Sequence, residues 1–203
     1  MACEIIWSTP NLQQTIVDIA RVSTSTINGA QENLLKYLIK HQHWSPFEMA
    51  NICVKISTTR AISAQIIRHR SFAFQEFSQR YSKVEESKLE TFELRQAGTA
   101  NRQSSLDTEV EKCTELKEQV SQHLLSTWSL YEKLMDNGVA KECARHILPI
   151  STNTTIYMNG SVRSWIHYLT LRTSLDTQKE HRLVAQEILL LLKEEFPLIF
   201  NLI

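Results

Sequence analysis

Ser45-Pro46-Phe47-Glu48-Met49-Ala50-Asn51-Ile52-Cys53-Val54-Lys55-Ile56-Ser57 holds two secondary-structure signals back to back. The first four residues read as a helix start. Ser45 stands as N-cap, Pro46 takes the first helical position, where a missing N–H costs nothing, and Glu48 closes a capping box. From Asn51 the pattern changes to period two, with Ile52, Val54 and Ile56 on one side, as in a half-buried strand. One helical turn running straight into a strand predicts a domain that mixes helices with a sheet.

The same reading extends outward. Upstream, Asn11 to Val22 places Leu12, Ile16, Ile19 and Ala20 at helical spacing, and Gln31 to His41 does so through Leu34, Leu35, Leu38 and Ile39. Downstream, Thr58 to Arg68 returns to a helix through Ala61, Ile62, Ile66 and Ile67. Ser71 to Tyr81 fits neither pattern, and the polar stretch Ser82 to Ser105 reads as a strand followed by a loop. Leu106 to Met135 reads as one long helix, ended by Asn137-Gly138. A short helix over Ala140 to Ile147 stops near Pro149. Ile150 to Met158 is threonine-rich and alternating, hence a strand, and Ser161 to Leu171 is a helix with Val162, Trp165, Ile166 and Leu169 on one face. The last helix begins at Thr177, capped by Glu180, and ends before Pro197. Only four glycines and four prolines punctuate 203 residues, so helices are predicted to dominate. Without repeats or linkers, one α/β domain spanning residues 1–203 is the simplest organisation.

Composition narrows the function. Twenty-two basic residues balance 22 acidic ones, which argues against duplex DNA or an anionic membrane as the main partner. Cys3, Cys53, Cys113 and Cys143 lie far apart with no C-x-x-C pair, so neither a structural metal nor a disulfide framework is expected. His41 and His43, two apart, do not share a helical face and make a poor metal pair. The first residues lack the basic and apolar regions of a signal peptide, and the longest aliphatic run, Ile188 to Leu192, is too short to span a bilayer. A soluble, cytoplasmic protein with no membrane partner is expected.

Charge is nevertheless uneven locally. Between Thr58 and Tyr81 stand Arg60, Arg68, Arg70 and Arg80 against a single acid, Glu76. Guanidinium groups bind phosphate oxygens in a forked geometry and stack on flat rings, and Phe72, Phe74, Phe77 and Tyr81 supply such rings. The composition reads equally well as a basic helix end beside ordinary core aromatics. A base-stacking nucleic-acid module is a further alternative, weakened by the neutral net charge and by the scatter of Arg145, Arg163 and Arg172.

The spacing Arg68-His69-Arg70-x7-Ser78 resembles the R-H-R-x7-S signature of flavin-dependent thymidylate synthases. Glu76-x-Ser78-x-Arg80-Tyr81 is similar to its extension. Ala20-Arg21-Val22-Ser23, His41-x-His43-x-Ser45-Pro46-Phe47-Glu48, Ala144-Arg145-x-x-Leu148-Pro149, Arg163-Ser164, Leu169-x-Leu171-Arg172 and Gln178-x-Glu180 resemble further elements of that family, in order. The chain departs from it at Ala73 and Gln75, where serine and asparagine are usual, and at Ser161, where asparagine often precedes the Arg-Ser pair.

The resemblance implies an α+β fold, with a central, mainly antiparallel sheet flanked by helices, some of them long, assembling as a homotetramer with shared active sites. It implies reductive methylation of dUMP to dTMP with bound FAD, with methylenetetrahydrofolate and NADPH as co-substrates. It implies FAD contacts at Ser45, Arg68, His69, Arg70, Glu76, Ser161, Arg163 and His167. It implies dUMP contacts at Gln65, Arg68, Glu76, Ser78, Gln79, Arg80, Arg145 and Arg172, with Arg172 as the catalytic charge and His43 near the flavin. No cysteine falls in a matched motif, and Ser78 has no adjacent base, so it is expected to donate a hydrogen bond rather than attack the ring.

Overall fold

A computed structural model describes residues 2–23, 30–85, 89, 91–99, 105–111 and 113–203. The chain forms two compact units, the first made of residues 1–58, 64–75 and 155–203 and the second of 59–63 and 76–154. The architecture is α+β.

The first unit carries a four-stranded antiparallel sheet in the order β1-β2-β6-β3, where β1 is Ala2–Ser8, β2 is Asn51–Thr59, β3 is Ala73–Glu76 and β6 is Asn153–Ser161. Glu4 lies opposite Lys55 in the β1–β2 ladder, and the two side chains form an exposed ion pair at 3.3 Å. The helices of this unit are α1 (Leu12–Ala20), α2 (Gln31–Lys40), α3 (Ser45–Glu48), α7 (Val162–Arg172), α8 (Lys179–Glu195) and α9 (Pro197–Phe200), with α4 (Arg60–Ile66) entering at its C-terminal end. Ile16, Phe47, Ile52, Val54, Ile56, Ile156, Trp165, Leu169, Val184 and Ile188 are buried, so the alternating residues of β2 and the apolar stripes of α7 and α8 all belong to the core, where α8 packs against α7 and β1. Trp165 donates its indole N–H to the Ile52 carbonyl at 3.0 Å, which satisfies the one polar atom that this large side chain carries inward.

The second unit contains α5 (Cys113–Asp136), α6 (Lys141–Ala144) and a two-stranded antiparallel pair, β4 (Arg95–Ala97) with β5 (Ser105–Glu109). Its core gathers Val84, Trp128, Tyr131 and Ala144, with Leu89, Leu134, Val139 and Leu148 packed against them. The Val84 N–H donates to the Tyr131 hydroxyl at 3.2 Å.

Several expectations change. The long helix starts at Cys113, because Ser105–Glu109 is a fully exposed strand paired with Arg95–Ala97. The described part of 82–105 thus runs from loop to strand, the reverse of the predicted order, and 86–88, 90 and 100–104 lie outside the described residues. Ser45 is the first residue of α3 rather than its cap, Trp44 takes the cap position and no side chain caps it. The helix expected from Thr177 is α8, which begins two residues later with Gln178 at its cap, and a further short helix, α9, follows it from Pro197. Ala73–Glu76, which matched neither period, is a strand, and so is Ala2–Ser8. All four cysteines are free thiols. Among the described residues no helix is long and apolar enough to cross a membrane.

Phe72 settles one open point about the aromatic string. It is buried, with its ring 4.9 Å from Trp165 edge to face and 5.9 Å from Tyr168. Tyr81, at 77% exposure, is on the surface. A Cβ at Gly160 would overlap the Phe72 ring, so β6 approaches that ring as only glycine allows. Gly160→Ala is expected to cost about 1–3 kcal/mol by overpacking, and Phe72→Leu in the same chain to recover part of it, read by urea denaturation of the two variants beside the unchanged protein.

Candidate active site

Helix α7 begins where β6 ends, and the junction builds a polar cleft. Ser161 caps α7, its hydroxyl accepting the Ser164 N–H at 3.3 Å and donating to Glu48 Oε2 at 2.7 Å. The other carboxylate oxygen of Glu48 receives Arg163 Nη1 at 2.5 Å. These two donors, Arg163 first, hold the Glu48 carboxyl below its ordinary range. The Val162 N–H reaches the Ala50 carbonyl at 2.8 Å, tying the start of α7 to the segment after α3. The cleft so formed has a volume of about 610 Å³, and Glu48, Asn159, Ser161, Arg163 and His167 are among its walls, together with Ala73. Among the described residues, Asn159 Oδ1, buried there, has no hydrogen-bond partner.

A second hollow of about 610 Å³ also borders His167, and is lined by Trp44, Thr170, Leu171, Arg172, Asp176 and Thr177 among others. The Trp44 and His167 rings meet edge to face at 5.0 Å. Arg172, in the last turn of α7, donates from Nε to His69 Nε2 at 2.9 Å. A nitrogen that accepts from a guanidinium has its lone pair exposed, so His69 is held neutral. Burial first and Arg172 second lower its pKa, which agrees with that state. His69 also places its ring against Tyr168, 4.9 Å edge to face.

Beneath them runs a polar chain, buried at its inner end and exposed at Gln178. Tyr168 and His181 are wholly inside. The Tyr168 hydroxyl and His181 Nε2 are 3.1 Å apart, His181 Nδ1 is 3.3 Å from Gln65 Oε1, and Gln65 Nε2 donates to Gln178 Oε1 at 2.6 Å.

In the second unit, Glu76 Oε1 receives Arg60 at 3.0 Å, Ser63 at 2.8 Å and Thr154 at 3.0 Å. Arg80 pairs with Glu142 at 3.3 Å, and Arg145 Nε donates to the Glu142 carbonyl at 3.3 Å, so one residue of α6 engages both arginines. Gln79 is buried, and the Ser78 carbonyl accepts from the Tyr81 and Ser82 N–H groups.

The family model for "Thymidylate synthase complementing protein" matches residues 4–198. A "Probable flavin-dependent thymidylate synthase" of Paramecium bursaria Chlorella virus 1 is 46% identical over 91% of this chain and 87% of its own length. The chain belongs to the flavin-dependent thymidylate synthase family. A member from Synechocystis is likewise 46% identical, over 88% of this chain and 83% of its own. Among solved structures, a UMP/dUMP methylase from Streptomyces cacaoi bound with 5-Br UMP is similar at a TM-score of 0.83 and 26% identity, covering 99% of this chain and 92% of that one.

Of the residues expected from the family motifs, the first unit gathers Ser161, Arg163 and His167 around one cleft and joins Arg172 to His69. Gln65 belongs to the polar chain, while Ser45, Arg68 and Arg70 are exposed. Arg80 and Arg145 share Glu142, and Glu76 is held by three donors of its own unit. Sequence reasoning missed Glu48 and Asn159. Glu48 stood in a quoted motif but was read as a helix cap, and Asn159 fell in the gap between the strand predicted to end at Met158 and the helix predicted to begin at Ser161. Among the described residues no cluster of three or more His, Cys, Asp or Glu side chains could hold a metal.

Burial, followed by the positive charge of Arg172 and by His69, pushes His181 from 6.5 down to about 4. The unfolded chain therefore binds a proton at this residue below about pH 6.5 while the folded chain resists until about pH 4. Stability is expected to fall across that window by up to roughly 1.4 kcal/mol per pH unit. His181→Phe should flatten the slope of denaturation free energy against pH between those limits.

Proposed function

We propose that the chain catalyses the reductive methylation of dUMP to dTMP, with methylenetetrahydrofolate as carbon donor and NADPH as reductant acting through bound FAD. The observation that carries this reading is the state of the arginines. Arg60, Arg80 and Arg163 are each paired with a carboxylate. Among the described residues Arg172 has no carboxylate partner and instead donates to a neutral imidazole. An uncompensated guanidinium beside a hollow calls for an anionic or carbonyl ligand. Family membership supports the identity of that ligand.

The polar cleft suits a flavin dinucleotide. It offers Arg163 and His167 as donors, and the buried Asn159 Oδ1 accepts from a ligand N–H or O–H. Ser45, Arg68, His69, Arg70, Glu76, Ser161, Arg163 and His167 are the residues proposed to hold FAD. The Ser161 hydroxyl is engaged by Ser164 and Glu48, so its contribution is to fix the carboxylate that aims Arg163. FAD, when bound, supplies the reducing equivalents.

For dUMP we propose Gln65, Arg68, Glu76, Ser78, Gln79, Arg80, Arg145 and Arg172. Arg80 and Arg145 provide forked cationic donors for the phosphate. Arg172, aimed through its bond to His69, places fixed positive charge at the uracil carbonyls and N3. There it stabilises the negative charge that develops as the ring reacts. No cysteine nucleophile takes part, and residues 1–203 act as one catalytic domain. The homotetramer with shared sites is supported by exposed Leu116, Leu125 and Leu130 on α5 and Leu183 and Leu190 on α8.

Purified protein is expected to be yellow and to release tritium from C5-labelled dUMP only with NADPH and methylenetetrahydrofolate present. No release from FAD-loaded protein would overturn the reading. Arg172→Ala should keep its flavin and lose roughly 10²–10³ in turnover, whereas full turnover would remove Arg172 from the chemistry. Arg145→Ala should chiefly weaken dUMP binding, by about tenfold or more for a charged hydrogen bond, measured by titrating the flavin spectrum.

A further inference from the structure

The polar chain under Arg172 has a direction, and its exposed outer end sets it. The Glu180 carboxylate only accepts, and it takes a hydrogen from Gln178 Nε2 at 2.8 Å. That turns Gln178 Oε1 toward Gln65, whose Nε2 donates to it at 2.6 Å. Gln65 Oε1 then faces inward to His181 Nδ1, at 3.3 Å. Since this oxygen has no hydrogen to give, the proton sits on His181 Nδ1. His181 Nε2 is left with its lone pair toward the Tyr168 hydroxyl at 3.1 Å, which must be the donor. Every link runs the same way, from Tyr168 through His181, Gln65 and Gln178 to Glu180.

We propose that His181, backed by Tyr168, is a positioning residue that locks the Gln65 amide with its oxygen inward and its nitrogen outward. The inference rests on the reading that Gln65 contacts dUMP. Its amide nitrogen has two hydrogens, one given to Gln178 and the second directed to ligand. Gln65 therefore offers a donor and selects an acceptor atom, a carbonyl or phosphoryl oxygen. Turning the amide over would force His181 to its other tautomer and, with Gln178 turned to match, would set Gln178 Oε1 against the Glu180 carboxylate, two acceptors face to face. Tyr168 links this lock to the reacting end, because its ring also carries the edge of His69, the partner of Arg172.

Two measurements test this. In protein labelled with 15N at histidine, His181 should show a protonated Nδ1 and a bare Nε2 at pH 7. The opposite tautomer, or a doubly protonated ring, overturns the lock whatever the enzyme binds. In FAD-loaded protein, His181→Phe should weaken dUMP by roughly tenfold, the size of one lost hydrogen bond and its misdirected donor, with flavin content retained. The same substitution in a Gln65→Ala background should add nothing, because His181 acts only through Gln65. Tyr168→Phe keeps the volume and removes only the hydroxyl, so it serves if the His181 variant folds poorly, and it should weaken dUMP in the same direction. Wild-type affinity in both single variants, or equal loss with and without Gln65, overturns the inference. If wild-type protein loaded with FAD fails to bind dUMP, the functional reading falls instead, and the tautomer alone then decides the lock.

Discussion

Helix α7 takes its bearing from one hydrogen bond, the indole N–H of Trp165 to the carbonyl of Ile52. Trp165 is the largest wholly buried side chain, and its single polar atom must find an acceptor or remain desolvated. The acceptor lies on β2, one of the two inner strands of the sheet, so the rotation of α7 about its axis is fixed by a buried contact. With Trp165, Ile166 and Leu169 turned inward, Arg163 and His167, four apart, face outward along one side. Arg172 arrives in the last turn, next to His69. The placement of polar groups on that helix is a by-product of how its apolar face is packed.

The fold was legible wherever burial writes a period into the sequence. Ile52, Val54 and Ile56 marked β2, and Val162, Trp165, Ile166 and Leu169 marked α7, because each set meets the core on one side. The strands that escaped notice are those whose sides are poorly distinguished. Every residue of Ser105–Glu109 is exposed, and its composition passes for the first turns of the helix behind it. Ala2–Ser8 mixes exposed with half-buried residues and has none fully buried, and its pairing with β2 depends on a partner some fifty residues away. Local propensity has no access to such a contact.

The site was legible as residues and not as partnerships. The motifs located Arg163, His167 and Arg172, yet nothing in their spacing tells that Glu48 grips Arg163 across more than a hundred residues. Ser45 and Glu48 looked like the two halves of a cap because that pattern is local. Glu48 in fact looks outward, to the cap of a different helix at Ser161. Phe72 could be read as a stacking surface or as core, and only the contact with Gly160 and Trp165 distinguishes them.

Glu142 gives the second unit a tethered counter-ion. Its carboxylate sits on Arg80 and its carbonyl on Arg145, so both guanidinium groups already have a partner on the same residue. Any anion drawn to Arg80 would have to displace a carboxylate that never diffuses away, and the net strength of its grip would be a difference between two rivals. Once that anion left, the waiting carboxylate would take its place at once. Such an arrangement trades tightness for exchange.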